Sequence, residues 1–436
     1  MKTGRKVWLL AGSRTPIGSY GRSLSRVGVE KLVEHVFKNA LRRANVSAEQ
    51  LDGIYLGSKY QGNVNFVNPA RLAQLNAGLP ANIPAMTVHR ECGSGMEATF
   101  QGMKDIALGD GDLYLVGGGD SMSTIPYLLP GSLRYSSRLI KWLPRFAPLP
   151  VMFKVADDGL APRKLVWDPR SVYMSYTAQR LADSYGISRK EMDEYSLRSQ
   201  VRAAAAIKSG RFEREIDPIE VPGRGFFARD EHPRETSLEK LSSLRSAFDQ
   251  KPKRGIAGLF ERLLKKLLGI QDQPQGARAR DITAGNASGI NDGACALVLA
   301  SDKKVAELGV EPLAELVDCA VAGVDPEQMG LGPVEAIKKL LARNNLTIKD
   351  IDLIEINEAF AAQYLACEKL LGLDREKVNV NGGAIALGHP IGMSGARIIL
   401  TLAHELKLRG KKRGIAALCI GGGQGIATLI ELPDKQ

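Results

Sequence analysis

The chain repeats itself at long range, and that repeat constrains its fold more than any other feature. Residues 46–56, VSAEQLDGIYL, follow a stretch of helical periodicity over 30–44, and residues 346–356, LTIKDIDLIEI, follow another over 333–344. Leu51, Asp52 and Ile54 recur as Ile351, Asp352 and Ile354, an offset of 300 residues. A second unit repeats as well. The turn Cys92-Gly93-Ser94-Gly95 opens an expected helix that runs to Leu108, and the strand after it ends in Gly117-Gly118-Gly119. Gly392-Met393-Ser394-Gly395, its helix and a strand ending in Gly421-Gly422-Gly423 echo that unit. Runs such as LYLV at 113–116 and IAALCI at 415–420 have the unbroken apolar character of buried strands and alternate with 3.6-period helices. Two similar layered α/β halves follow. Residues 122–280 break the pattern with Pro-rich and basic stretches (PRFAPLP, DEHPRE) around one clear helix over 189–210. The expected organisation is an N-terminal half over 1–121 completed by about 281–302, a loop domain over 122–280, and a C-terminal half over 303–436.

With 44% hydrophobic and 25% charged residues, 436 residues can build a large core, and neither disorder nor a fibrous array fits. Apolar runs such as 7–11 fall far short of the ~20 residues that span a bilayer. The N-terminal run is also too short for a secretory leader. The C-terminal LPDKQ is not an SKL-type peroxisomal address. A bacterial cytoplasm or a mitochondrial-type matrix is the expected location. Charge placement says more than the net +11. Residues 131–170 hold eight Lys/Arg against three Asp/Glu, and residues 251–280 hold eight against two, so these two segments carry the whole excess. A general nucleic-acid-binding surface is therefore excluded.

The five cysteines form no CxxC pair and no regular spacing, which argues against a disulfide framework and against a metal site. Cys92, in VHRECGSGMEA, stands at an expected helix N-terminus, where the dipole and free N–H groups favour the thiolate; a buried structural Cys at a Gly turn is the alternative. His389 lies in a Gly-rich turn, GHPIG, rather than on a helix face, and an imidazole with a pKa near ~6.5 suits a base for a thiol. His35 and His404 read as helix-surface or boundary residues, and His232 as a loop residue. Cys419 ends a buried strand just before three glycines, whose amides can hold a developing oxyanion, worth on the order of 2.7 to 4 kcal/mol per donor. Asn357 and Glu358, in INEAFAAQ, are placed to hold a water or to cap a helix. Cys295, Cys319 and Cys367 sit in apolar segments and are expected in the core.

These motifs together resemble the thiolase family, the acyl-CoA acetyltransferases that cleave or form 3-ketoacyl-CoA. The matching stretches are RTPIG at 14–18, CGSGM at 92–96, SMS at 121–123, YGISR at 185–189, RAAAA at 202–206, TAGNASGINDGA at 283–294, MGLGP at 329–333, NEAF at 357–360, NVNGGAIALGHPIGMSGAR at 379–397 and CIGGGQG at 419–425. They run nearly end to end in the family's order. The resemblance implies a five-layer αβαβα thiolase fold with an inserted loop domain, assembled as a homodimer or homotetramer. It implies that Cys92 takes the acyl group as a thioester after His389 accepts its proton, and that Cys419 exchanges a proton with the α-carbon of acetyl-CoA. One oxyanion site is then His389 with a water on Asn357, and the other is the N–H groups of Cys92 and Gly421. Ser288 maps to the pantetheine contact, Met174 and Phe360 to the acyl pocket, and Arg224 joins them as a CoA-binding candidate. Coenzyme A is then a co-substrate, with no permanently bound cofactor.

Two departures bear on substrate. His89 stands where many thiolases carry Asn, and Tyr173-Met174-Ser175 replaces a common His-Met-Gly, which counts against an acetoacetyl-CoA-specific pocket. The basic segments are also longer than in compact members. One mixes Arg and Lys with Trp142, Phe146 and Phe153; the other, GLFERLLKKLL at 258–268, places its leucines and Phe260 opposite Arg262, Lys265 and Lys266. Such a helix can lie on an anionic membrane, dock on a hydratase-dehydrogenase partner subunit, or pack on its own loop domain. A short-chain acetoacetyl-CoA-forming acetyltransferase is the alternative activity, and a non-catalytic acyl-CoA or lipid-binding scaffold is the alternative of another class.

Overall fold

Asp52 and Asp352, three hundred residues apart, make the same set of hydrogen bonds. The Asp52 carboxylate accepts from the N–H groups of Asp112 (2.7 Å) and Leu113 (2.9 Å), and its own N–H donates to Leu113 O. Asp352 accepts from Lys412 (3.0 Å) and Arg413 (2.9 Å), and its N–H donates to Arg413 O. Upstream, Asn45 and Asn345 both adopt a left-handed conformation (φ 53° and 54°), which lets the chain leave a helix without Gly. The sequence repeat is thus a repeat of the contacts that start a strand.

The computed structural model describes residues 4–60, 68–125, 174–246 and 279–433. In chain order the elements are β1 (Val7–Arg14), β2 (Gly18–Ser19), α1 (Val29–Ala44), β3 (Gly53–Gly57), α2 (Pro69–Asn76), β4 (Ala85–Val88), α3 (Ser94–Leu108) and β5 (Leu113–Ser121). Next come α4 (Met174–Ser184), α5 (Arg189–Lys208), β6 (Ile219–Val221), β7 (Gly225–Phe227) and α6 (Leu238–Ser242). The last group is β8 (Asn291–Ser301), α7 (Asp302–Leu308), β9 (Ala314–Gly323), α8 (Gly332–Arg343), β10 (Leu353–Ile356), α9 (Ala361–Leu371), α10 (Ala384–Leu387), α11 (Ile391–Arg409), β11 (Arg413–Ile420) and β12 (Gln424–Glu431). The helix expected over 189–210 is α5, fixed at its start by a capping box between Ser188 and Glu191.

Strand order is β4-β3-β5-β8-β1 in one half and β10-β11-β12-β9 in the other. The halves correspond strand for strand, and a lone parallel bridge from Ile354 to Val378 takes the place of the β3–β4 pairing at Ile54 and Ala85. Among the described strands the halves pair at Trp8 opposite Glu315 and Leu9 opposite Ala314. β8 returns from the long excursion after β5 and pairs antiparallel with it, Ser121 facing Asp292. Helices α1 and α2 cover one outer face and α8 with α9 the other, while α3 and α11 lie between the two sheets. α11 is accordingly buried along nearly its whole length. This is the expected five-layer arrangement.

The two central helices meet backbone to backbone at their N-termini. A Cβ on Gly95 or on Gly118 would fall well inside contact distance of Gly392 O, and one on Gly392 would lie 2.8 Å from both Gly57 O and Gly119 O. Behind this contact, the Arg14 guanidinium is wholly buried and binds Asp230 through two hydrogen bonds (2.7 and 2.9 Å) and Glu215 through Nε (2.7 Å). Burial alone would push Glu215 up, but Arg14 and Arg211 outweigh it and hold its carboxyl at about 2. These bonds fasten the 211–230 segment to β1.

Among the described residues no helix is long and apolar enough to cross a membrane. Residues 131–170 and 251–278, with the amphipathic stretch at 258–268, lie outside the described residues. A methyl group at the central contact should be costly: Gly95→Ala is expected to destabilise the fold by about 1–3 kcal/mol. Gly323→Ala, where a Cβ meets nothing within 4 Å, should be near neutral. Parallel urea denaturation of the two variants measures the difference.

Candidate active site

The turn from β4 into α3 is held in shape by its own hydrogen bonds. Gly93 N–H donates to Arg90 O (2.8 Å) and Ser94 N–H to Glu91 O (3.1 Å), while Ser94 Oγ accepts from Arg90 N–H (2.9 Å) and donates to Glu91 O (2.6 Å). Glu91 is thereby forced to φ 45°, a left-handed conformation unusual for a non-Gly residue. Arg90 then reaches across to the other half, donating to Gln424 Oε1 (2.9 Å) while its Nε pairs with Glu97 (2.8 Å). The result seats Cys92 against the end of β11, where the backbone N–H groups of Gly421 and of Cys92 itself act on the thiol and favour its ionised form. Cys419, buried at the end of β11, lies within electrostatic reach of both Cys92 and Cys367.

The helix N-terminus was expected to favour the Cys92 thiolate, and the structure corrects that. Burial pushes the thiol up to about 11; Lys59 and the Gly421 N–H pull the other way, and Glu91 adds to the rise. Burial, reinforced by Cys92 and Cys367, also drives Cys419 well above the usual thiol range. Both are resting thiols at neutral pH. Cys295, Cys319 and Cys367 are buried in the core, as expected.

His389 sits between α10 and α11, its N–H donating to Asn291 Oδ1 (3.0 Å). Its Nδ1 is 2.6 Å from Ser394 Oγ, and that hydroxyl already donates its only proton to Pro390 O (2.8 Å). Ser394 must therefore accept from Nδ1–H, which leaves a lone pair on Nε2, 3.5 Å from Asn357 Nδ2. Burial, then Arg397 and Lys59, depress the imidazole to about 3 rather than the ~6.5 of a free histidine. The ring is a neutral acceptor aimed inward. Asn357 ends β10 with its N–H on Ala417 O (2.9 Å), and its buried Oδ1 has no partner among the described residues. One acceptor there is thus available to a donor from outside the protein.

Glu358, expected beside Asn357 as a cap or water holder, is instead an anchor. Its carboxylate accepts from Tyr195 OH (2.7 Å), Ser199 Oγ (2.7 Å), Ile385 N–H (3.0 Å) and Asn379 Nδ2 (3.1 Å), binding the 379–385 loop to α5. Ser288 N–H donates to Ala359 O (3.0 Å), and Ala287 bridges to Phe360, so both Ser288 and the buried Phe360 adjoin the Asn357 turn. Met174 begins α4 with its sulfur 3.8 Å from where a Cβ on Gly421 would stand. Arg224 is not brought to this group by any contact among the described residues. It lies on the exposed turn between β6 and β7 and donates to Arg22 O (2.9 Å).

Lys59, which the sequence does not single out, acts electrostatically on both Cys92 and His389. The functional groups of the two halves therefore face one common space. Ser394 was within reach of sequence reasoning, being the one hydroxyl a helical turn beyond His389; Lys59 follows β3 in an unpatterned GSKYQG and offers no such signal. Among the described residues, no group of three or more His, Cys, Asp or Glu is placed to hold a metal ion. The arrangement offers a thiol in an N–H cradle, a second thiol beside it, and a neutral base: the parts of acyl transfer with proton exchange at carbon.

Comparison with known proteins points the same way. Residues 7–256 match the family model described as thiolase, N-terminal domain, and residues 310–432 match thiolase, C-terminal domain. The chain is 41% identical over 434 residues to an acetyl-CoA acetyltransferase of Cupriavidus necator, covering 98% of this chain and 99% of that one. It is 41% identical over 441 residues to a beta-ketoadipyl-CoA thiolase of Pseudomonas aeruginosa, covering 98% and 99%. Its structure is similar to human mitochondrial 3-ketoacyl-CoA thiolase in complex with CoA, with a TM-score of 0.85, 39% identity and 98% of each chain covered.

The hydrogen-bond geometry at His389 makes a direct prediction. Because its folded value lies near 3, the imidazole should stay neutral from pH 8 down to about pH 4 in a 13C-histidine NMR titration. An unfolded histidine takes its proton near ~6.5. His389 should therefore subtract from stability as pH falls below that value, the loss growing toward pH 3.

Proposed function

The chain belongs to the thiolase family, and from that premise we propose that Cys92 is the acyl-accepting nucleophile of a CoA-dependent acyltransferase acting on 3-ketoacyl-CoA. The reaction is thiolysis to acetyl-CoA and a shortened acyl-CoA, or its reverse condensation. The observation that carries this reading is the seat of Cys92: its turn is tied by Arg90 to Gln424 across the end of β11, and the Gly421 N–H, Cys419 and the Lys59 charge that also reaches His389 all act on its sulfur.

In the degradative direction, His389 Nε2 takes the Cys92 proton as sulfur attacks the 3-keto carbon. Negative charge then moves onto the carbonyl oxygen, which the N–H groups of Cys92 and Gly421 can receive. The bond between C2 and C3 breaks, C3 stays on sulfur as a thioester, and the electron pair goes to C2. Cys419, kept protonated by burial, supplies the proton that makes acetyl-CoA. The thiol of a second CoA returns a proton to Cys419 and attacks the thioester, and the departing Cys92 sulfur regains its proton from His389. Asn357, paired with His389 and with Oδ1 free for a donor, supports the thioester oxygen of the acetyl unit through a water. The three reacting side chains, Cys92, His389 and Cys419, rest neutral and become charged only as bonds change.

In this reading Ser288 contacts the pantetheine arm, Met174 and Phe360 wall the acyl group, and Arg224 serves the distal nucleotide end of CoA. CoA is a co-substrate, and the active form is a homodimer or homotetramer. Residues 258–268 pack on their own loop domain or serve a hydratase-dehydrogenase partner or a membrane surface. A binding scaffold would need no such grouping of Cys92, His389 and Cys419.

Thiolysis of short, medium and long 3-ketoacyl-CoA, followed by loss of enolate absorbance, tests the proposal. Cys92→Ala is expected to lose activity by at least about 10³-fold. Cys419→Ala should still be acetylated by acetyl-CoA on Cys92, seen by mass spectrometry, yet fail in thiolysis. Wild-type turnover in Cys92→Ala would overturn the mechanism, and turnover confined to acetoacetyl-CoA would make the enzyme a short-chain acetyltransferase.

A further inference from the structure

Lys59 and Glu91 are charged residues at the active site that neither the fold nor the mechanism above uses. Lys59 Nζ lies 2.7 Å from Glu91 Oε2 and 4.9 Å from the centre of the Tyr60 ring. Glu91 directly precedes Cys92, and the turn that forces it to φ 45° also aims its carboxylate. A Cβ on Gly421 would stand 3.8 Å from Glu91 Cγ and 3.9 Å from Oε2, so this carboxylate lies beside Gly421. His89 Nε2 is 3.8 Å from the other Glu91 oxygen. Both members of the pair are partly open to solvent, Lys59 at 25% and Glu91 at 35% side-chain exposure.

Several elements bring charged and titratable groups to Cys92: Arg90 of its own turn pairs with Glu97 of α3, and Asp120 of β5 accepts from the N–H groups of Lys59 and Tyr60. Lys59 and Tyr60 come from the segment after β3, and Glu91 and His89 from the nucleophile's own turn. Cys419 comes from β11, His389 from the loop before α11, and Arg397, from α11, acts on His389. Of these, Lys59 is the cation that acts on both Cys92 and His389. Its charge favours a thiolate on one and disfavours an imidazolium on the other.

We propose that Lys59 and Glu91 are opposed positioning residues for the nucleophile: the Lys59 ammonium favours the Cys92 thiolate, and Glu91, paired with it, cancels part of that field. The inference rests on Cys92 being the nucleophile. An ion pair next to a half-buried thiol acts as a dipole whose two ends have opposite effects on the sulfur, and the partner left behind after either substitution acts alone. The pair therefore sets how readily Cys92 ionises without touching the substrate.

The test is the rate of Cys92 alkylation by iodoacetamide between pH 7 and 9, with the modified residue located by peptide mass mapping. A midpoint shift of about one pH unit changes the thiolate fraction about ten-fold, and the accompanying loss or gain of intrinsic nucleophilicity reduces the change in rate to about three-fold or more. Glu91→Gln should react about three- to ten-fold faster than wild type at pH 8, and Lys59→Met slower by a similar factor. The double variant should return close to wild type, and Lys59→Arg, which keeps the charge, should match it. The inference is overturned if both single variants react at the wild-type rate, or if Lys59→Arg slows as much as Lys59→Met. Its failure is distinct from failure of the proposed function. Unchanged alkylation with an inactive Cys92→Ala sinks only the charge pair, whereas an active Cys92→Ala sinks the mechanism whatever the alkylation rates.

Discussion

The structure depends on the place where α3 and α11 meet through their backbones. Gly95, Gly118 and Gly392 let the start of each helix approach the other half with no side chain between them. That contact makes the middle layer thin enough for two sheets to share it, and it fixes where the turns ahead of the helices emerge. One turn carries Cys92 and the other His389, so the spacing of the reacting groups follows from a packing constraint in the core. Arg90, bridging from the Cys92 turn to Gln424, and Glu358, tying the 379–385 loop to α5, then hold each turn in its angle.

Burial dominates the electrostatics of this centre. It raises both thiols and lowers the imidazole, so each group rests in its uncharged form. Fixed dipoles compensate locally: the Gly421 N–H at Cys92, the Ser394 hydroxyl at His389 Nδ1. The three groups are thus neutral while the Lys59–Glu91 pair beside them is charged. Ser394 contributes by fixing one tautomer, since its only proton is committed to Pro390 O.

Much of this is readable from the residues, for physical reasons that differ from place to place. Asp52 and Asp352 stand out because a carboxylate that caps two strand N–H groups cannot be replaced by an apolar residue, so the pair survives in both halves. Cys92, His389 and Cys419 stand out because each sits at a Gly-rich turn beside a buried element. The ionisation of Cys92 does not, because a helix start says nothing of how deeply the thiol is buried. Lys59 and the anchoring role of Glu358 are hidden for another reason: both depend on which distant loop meets them, Glu91 in one case and α5 with the 379–385 loop in the other. Arg224, expected as a CoA contact, lies on the exposed turn between β6 and β7, where it donates to Arg22 O.

The pairing of Ser121 with Asp292 has a consequence for how the loop region varies. The chain departs from the sheet and returns to it at adjacent cross-strand positions, with some 170 residues in between. Closing such an excursion costs entropy that grows only with the logarithm of its length. For any unconstrained stretch within it, each doubling adds only about 0.6 kcal/mol of closure entropy, and the register of β5 against β8 rests on the strands themselves. Segments such as 131–170 and 251–278 can diverge in size and charge while Cys92 and His389 keep their geometry. The length of the excursion and the pairing of the strands it leaves and rejoins are thus separate properties of the chain.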